Sequence, residues 1–223
     1  GIPSLGSGLV FPVPEDSIKC EPFEIPSHFP RICGMDYGWD HPTTAVWVAW
    51  DREADIVYIY DTYGQRQEIP AVHAAAVNAR PKWIPVVWPR DGRQADKGSG
   101  TPLADQYRDL GVNMIKGDNR SWGGWFTNPP ISGQREGSGG ISLESGIMDL
   151  LERMKTGRLK IFSTQPEIFE ELRMYHRKEG RIVPFKDDLI SAMRYAVLSL
   201  RLARVHETQT RQYQADSDFN IFT

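Results

Sequence analysis

From residue 31 onward, three strand-like runs follow one another before any helical pattern appears, and only then do strands and helices alternate. That order narrows the possible topologies more than composition does. Residues 31–37 form an apolar run reaching Asp36, residues 43–50 are rich in β-branched and aromatic side chains, and residues 56–60 repeat that character after the polar turn 51–55. Residues 70–79 read as a helix opened by Pro70, with Val72, Ala75, Ala76 and Ala79 on one face. The apolar run 84–88, stopped by Pro89, reads as a buried fourth strand. A helix over 102–110 closed by Gly111, a fifth strand over 112–115, a helix over 142–155 closed by Gly157 and a sixth strand over 159–162 follow. Residues 167–177 form a further helix, and residues 187–203 a longer one whose Leu189, Met193, Val197 and Leu200 make an apolar stripe.

An antiparallel meander followed by right-handed crossovers, with the first and fourth strands side by side, is the chain order of the RNase H-like fold. The expectation is therefore an α/β domain with a mixed central sheet, strands 1–3 antiparallel and strands 1, 4 and 5 parallel, flanked by helices. Residues 31–204 make up this domain. Residues 1–30, with prolines at 3, 12, 14, 22, 26 and 30, read as a linker or extended lead-in, and residues 205–223 lose apolar periodicity and read as a tail.

The composition sets outer limits. Hydrophobic residues make up 40% and charged residues 25%, and no apolar run approaches the ~20 residues a membrane span needs. Cys20 and Cys33 are too few for a disulfide framework or a zinc cage, and no signal peptide is visible; a reducing cytoplasm fits. Cys33 and the tryptophans Trp47, Trp50 and Trp88 lie in strand patterns and read as packing residues. The net charge of −3 is unevenly spread. Residues 1–62 carry 3 Lys and Arg against 10 Asp and Glu, whereas residues 151–204 carry 12 against 7. Such a chain can gather carboxylates at one place and recruit a polyanion elsewhere.

In open α/β sheets, ligand chemistry collects at the carboxyl ends of strands where the connection direction switches. Those ends carry Asp36, after the first strand, and Asp91, after the fourth; Asp187 and Asp188 open the last helix and reach the same sheet edge. Each alone has an ordinary explanation, a turn for the first two and a helix cap for the last pair. Together they are a constellation. Hydrolysis of a phosphodiester adds negative charge to an anionic group, and two Mg²⁺ or Mn²⁺ ions held by hard carboxylate oxygens neutralise that charge and activate water. Asp36, Asp91 and Asp188 are the catalytic candidates, with Asp187 as a supporting ligand or helix cap. Asp40 and His41 read as a turn.

Particular strings carry a family resemblance: Gly34-Met35-Asp36-Tyr37-Gly38 with His41-Pro42-Thr43, Val86-Val87-Trp88-Pro89-Arg90-Asp91-Gly92, Glu136-Gly137-Ser138-Gly139-Gly140, and Lys186-Asp187-Asp188-Leu189 leading to Arg194-Tyr195-Ala196. Over most of residues 25–204 the sequence resembles the nuclease domain of tailed-phage terminase large subunits, of the headful-packaging kind found in phages of enteric bacteria. The resemblance implies a metal-dependent endonuclease that cuts concatemeric double-stranded DNA in the host cytoplasm, with an ATPase domain of the same subunit, a small terminase subunit and a portal protein as partners. It places Asp36, Asp91 and Asp188 at the family's catalytic positions. Many relatives carry an acidic residue where Ser191 precedes Ala192, so a further acidic ligand from that helix is not expected. No G-x-x-x-x-G-K-[ST] phosphate loop occurs in the chain, so the ATPase expectation falls outside it.

Residues 117–140 hold seven glycines and no periodicity, and read as a mobile flap facing DNA. Lys97, Arg93, Lys116, Arg120 and Arg135 are candidate phosphate contacts. The rival readings are a Holliday-junction resolvase or transposase-like nuclease on the same fold, and a non-catalytic module docking on DNA or capsid.

Overall fold

The computed structural model describes residues 8–89, 92, 100–115 and 139–206, with the backbone alone at 139–142. In chain order the elements are α1 (Glu15–Ile18), β1 (Lys19–Cys20), β2 (Arg31–Asp36), β3 (Thr43–Asp51), β4 (Ile56–Gln65), α2 (Pro70–Asn78), β5 (Val86–Val87), α3 (Leu103–Asp109), α4 (Gly139–Lys155), β6 (Leu159–Phe162), α5 (Pro166–Met174), β7 (Arg177–Lys178), β8 (Arg181–Ile182) and α6 (Asp188–Leu198). A six-stranded sheet has the order β1-β6-β4-β3-β2-β5, and β7 with β8 forms a separate hairpin.

The meander is antiparallel from β2 through β3 to β4, and β5 lies parallel to β2. The first and fourth expected strands are therefore neighbours. Their alternation explains the two cores. Cys33 and Met35 of β2, with Ala45 and Trp47 of β3, pack with Ala74, Val77, Ala104 and Tyr107 of α2 and α3. Ile32, Val46 and Val48 point the other way, into the cluster built from α4, α5 and α6. Covering on both faces is why these strands read as nearly unbroken apolar runs.

On the second face α6 lies across β2 and β3. Its approach depends on Gly34, where a Cβ would stand 2.0 Å from the Ala192 carbonyl oxygen and 2.8 Å from the Ala196 nitrogen. No side chain fits there, and Ala192 and Ala196, both buried, keep the helix side equally small.

Several local expectations change. The stretch from residue 8 to 30 is not a bare lead-in: Val10, Phe11 and Ile18 are buried, and β1 pairs in parallel with β6. Phe11 stacks on Tyr175 at 5.9 Å between ring centroids, and the Val10 amide donates to the Tyr175 carbonyl at 3.0 Å. Apolar side chains between the prolines bury enough surface to seat a segment that has little regular structure. The fourth strand shrinks to β5, because Pro85 and Pro89 remove donors on either side. The expected fifth strand is reduced to one parallel bridge, Val86 with Met114. The helix expected over 167–177 ends at Met174, and the chain turns into the β7–β8 hairpin through Glu179 and Gly180, both with positive φ. The last helix ends at Leu198 and is followed by a 3-10 turn over Leu200–Leu202. Cys33, Trp47 and Trp88 are core residues as expected. Residues 116–138, which hold most of the expected flap, and residues 207–223 of the expected tail lie outside the described residues.

Candidate active site

Strand parity sets the first carboxylate. Side chains two apart share a face of a strand, so Asp36 leaves β2 on the face of Ile32 and Gly34, the face covered by α6. Asp36 pairs across the ladder with Thr44 of β3. The Thr44 hydroxyl donates to the Asp188 carbonyl oxygen at 2.9 Å. One threonine of β3, the ladder partner of Asp36, thus reaches the start of α6 across 144 residues of sequence. The loop after Asp36 is closed by Thr43, whose hydroxyl accepts from the Gly38 amide at 3.1 Å and donates to the Gly38 carbonyl at 2.9 Å. A Cβ on Gly38 would lie 2.4 Å from the His41 carbonyl oxygen, so the tight turn requires glycine. Asp40 and His41 fall in this turn, as expected, and are exposed.

The electrostatics record the crowding. Burial, then the negative charge of Asp188, push the Asp36 carboxyl up to about 7; Arg194, the Tyr37 amide and a further contribution from Asp187 act less strongly, the first two downward. Burial likewise raises Asp188, opposed by the positive sides of His41 and Arg66. Asp187 is raised by burial and by Asp188, with His41 and Arg194 acting against it. Arg194 is a buried charge, 7% exposed, lying 4.7 Å over the Tyr195 ring, and its Nε has no hydrogen-bond partner among the described residues. The nearby cations leave Asp36 still inclined to hold its proton. A group of clustered oxygens with uncompensated charge suits a hard divalent cation.

Asp187 occupies the N-cap position of α6 but makes no side-chain capping bond. With φ −125° and ψ 18° it lies outside the extended region from which an N-cap side chain folds back on the helix. The cap comes instead from Glu171 of α5, whose Oε2 accepts from the Ile190 amide at 3.0 Å. Burial pushes that carboxyl up to about 8, against the lowering effect of the Ile190 and Leu189 amides. Glu171, Arg194 and Arg66 are not among the candidate site residues named from the sequence, although Arg194 belongs to one of the strings that carry the resemblance. The first two carried a visible signal: Glu171 sits between Ile168, Leu172 and Tyr175 on the buried side of its helix, and Arg194 interrupts the apolar run of α6.

Asp91 lies outside the described residues, as do Lys97, Arg93, Lys116, Arg120 and Arg135. Two described residues that flank Asp91 in sequence lie near Gly34 and Tyr37 of the β2 segment. Val87 of β5 stands opposite Gly34 in a parallel ladder, and the Cβ position of Gly92 is 2.8 Å from a ring carbon of Tyr37, the neighbour of Asp36. Among the described residues no three His, Cys, Asp or Glu side chains form a ready metal cage.

Residues 33–200 match the family model described as the terminase RNaseH-like domain. The chain belongs to that terminase family. This terminase domain is 42% identical over 207 residues to the terminase large subunit of Salmonella phage P22, covering 92% of the chain and 38% of that protein. It thus spans about two fifths of the curated relative it matches. It is also similar to the solved nuclease domain of the P22 large terminase, with a TM-score of 0.75 and 39% identity over 91% of this chain and 97% of the other. The nuclease domain of the g2p large terminase of bacteriophage SPP1, solved with bound Mn, shares the fold at a TM-score of 0.57 and 16% identity, covering 82% of this chain and 97% of that one. The RNase H-like architecture expected from strand order is therefore that of the family.

Proposed function

We propose that this terminase domain is a divalent-metal-dependent endonuclease that cuts concatemeric double-stranded DNA during viral genome packaging. One observation carries the reading: Asp36 and Asp188 are brought to one face of the sheet, where burial first and the Asp188 charge second push the Asp36 carboxyl up to about 7. The similar P22 domain is a nuclease domain, and the SPP1 domain was solved with Mn. Asp36, Asp91 and Asp188 are the proposed ligands of two Mg²⁺ or Mn²⁺ ions, with Asp187 beside them. The chemistry supplied by such ions when bound is charge neutralisation at the phosphodiester and a lowered pKa for coordinated water.

The chain's own residues prepare this chemistry. Asp36 and Asp188 offer hard oxygen donors from rigid elements, a strand end and a helix start. Arg194 balances part of their charge from beneath, where it stays clear of substrate. His41 and Arg66, exposed at the rim and electrostatically coupled to Asp188, attract the phosphates that must approach an acidic site. Lys97, Arg93, Lys116, Arg120 and Arg135 are proposed to extend that contact along the duplex, with Gly117 to Gly140 as a flap. The ATPase domain of the same subunit, the small terminase subunit and the portal are the proposed partners, in the host cytoplasm. No helix of the described residues is long and apolar enough to cross a membrane.

Supercoiled plasmid tests the proposal. We expect nicking and linearisation with Mn²⁺ or Mg²⁺, none in EDTA, and loss of cutting on Asp36→Asn, Asp188→Asn or Asp91→Asn. Undiminished cleavage by pure Asp36→Asn protein overturns it. Preference for four-way junctions over linear duplex would point to a resolvase-like enzyme, and metal-independent binding without cutting to a docking module.

A further inference from the structure

The first four amides of an α-helix have no partner within the helix, and a start left uncapped frays. α6 receives no capping bond from its own N-cap residue. Its start is held by two bonds from elsewhere. Thr44 of β3 holds the Asp188 carbonyl at 2.9 Å, and Glu171 of α5 holds the Ile190 amide at 3.0 Å. Both grips fall just after the Asp188 side chain in the first turn, one on its own carbonyl and one on the amide two residues on.

Glu171 is expensive to place there. It is 8% exposed, on the buried side of a helix whose neighbours Ile168 and Leu172 belong to the main core. A buried carboxyl is destabilising unless its oxygens are bonded, and an apolar residue at this position would pack without that penalty. Other helices here, α2 and α5, start without a side-chain cap. What distinguishes α6 is that it begins at Asp188.

Resting on the nuclease reading above, we infer that Glu171 is a positioning residue for that site: its carboxyl caps α6 from a neighbouring helix and so fixes where Asp188 stands relative to Asp36. It reaches neither DNA nor the ligand oxygens. Its part is to keep the first turn of α6 wound, so that the Asp188 carboxylate does not swing with a fraying end. What α6 requires is an acceptor oxygen at the right distance.

Three substitutions separate the cap from bulk stability. Glu171→Gln keeps an acceptor of the same length, Glu171→Asp withdraws it by one methylene, and Glu171→Ala removes it. Val77→Ala, in α2 on the opposite face of the sheet, serves as a matched loss of stability. Three quantities are read on the whole chain: thermal midpoint, hydrogen exchange at the Leu189 and Ile190 amides, and steady-state plasmid cleavage in saturating Mn²⁺. Groups that orient metal ligands commonly contribute about 10–100-fold to activity or metal affinity. We expect Glu171→Ala and Glu171→Asp to exchange these amides at least about tenfold faster and to lose about tenfold or more in kcat, with KM for DNA changed by less than about twofold. Glu171→Gln should stay within about threefold of the parent on every measure, and Val77→Ala should keep kcat despite its lower midpoint. If Glu171→Ala behaves like Val77→Ala at equal loss of midpoint, or Glu171→Gln is as impaired as Glu171→Ala, the inference is overturned. Amide exchange and the thermal midpoint do not depend on cutting. A parent protein that fails to cleave therefore counts against the nuclease reading, while these two readouts still decide the role of Glu171.

Discussion

Replacing Asp36 by asparagine should make the metal-free protein less sensitive to alkaline pH while abolishing cleavage. The Asp36 carboxyl rises from an ordinary 3.8 to about 7, chiefly through burial and the Asp188 charge. The folded protein therefore binds more protons than the unfolded chain between those values. The stability linked to Asp36 is fully present below pH 3.8 and is lost as pH rises through about 7. Roughly three units at about 1.4 kcal/mol each is about 4 kcal/mol, which solvent contact at the rim of the site reduces to about 2–3 kcal/mol. Glu171, raised from 4.5 to about 8, acts with the same sign and persists in the variant. About two of those three units fall between pH 5 and pH 8.5, so urea denaturation in EDTA at these two values should show the parent losing about 1–2 kcal/mol more than Asp36→Asn. Adding Mn²⁺ at pH 8.5 should restore stability to the parent and not to the variant, because the ion relieves the repulsion that ionised Asp36 creates. Equal pH slopes in the two proteins, or a variant less stable than the parent at pH 8.5 without metal, would refute the view that Asp36 is a strained carboxylate awaiting a cation.

Two further substitutions probe how the site is built. Gly34→Ala puts a methyl group 2.0 Å from the Ala192 carbonyl oxygen, so the helix must lift from the strand; a loss of at least about 3 kcal/mol is expected by denaturant titration, and a loss below about 1 kcal/mol would contradict the contact. Thr44→Val keeps the shape but removes the hydroxyl bonded to the Asp188 carbonyl; about 1–2 kcal/mol should be lost, with weaker Mn²⁺ binding by calorimetry.

The residues legible in the sequence were those whose placement follows from local periodicity. Asp36 ends an apolar strand and Asp188 begins an apolar-striped helix, so both could be directed to one sheet edge, and β2 and β5 are neighbours as strand order requires. Contacts made only in three dimensions were hidden. Nothing near Pro12 or Pro14 indicates that Phe11 will stack on Tyr175. Asp187 looked like a cap because its residue type favours that role, but the backbone at ψ 18° turns it aside and Glu171, 19 residues before Ile190, takes its place. The short hairpin of β7 and β8 has no counterpart among the expected elements, because Glu179 and Gly180 give only a two-residue turn signal.

Since α6 rests on β2 through bare peptide groups at Gly34, with no side chain between them, the separation of the two aspartate-bearing elements is gauged by a hard stop. Side-chain layers can settle or swell as their members change; a peptide seated on a peptide cannot. Repacking among Ile147, Leu150 and Met154 of α4, which packs against both α6 and β6, can alter how α6 is held without altering the seat itself. Homologous sequences can therefore drift widely in that layer while the spacing of the carboxylates remains the same.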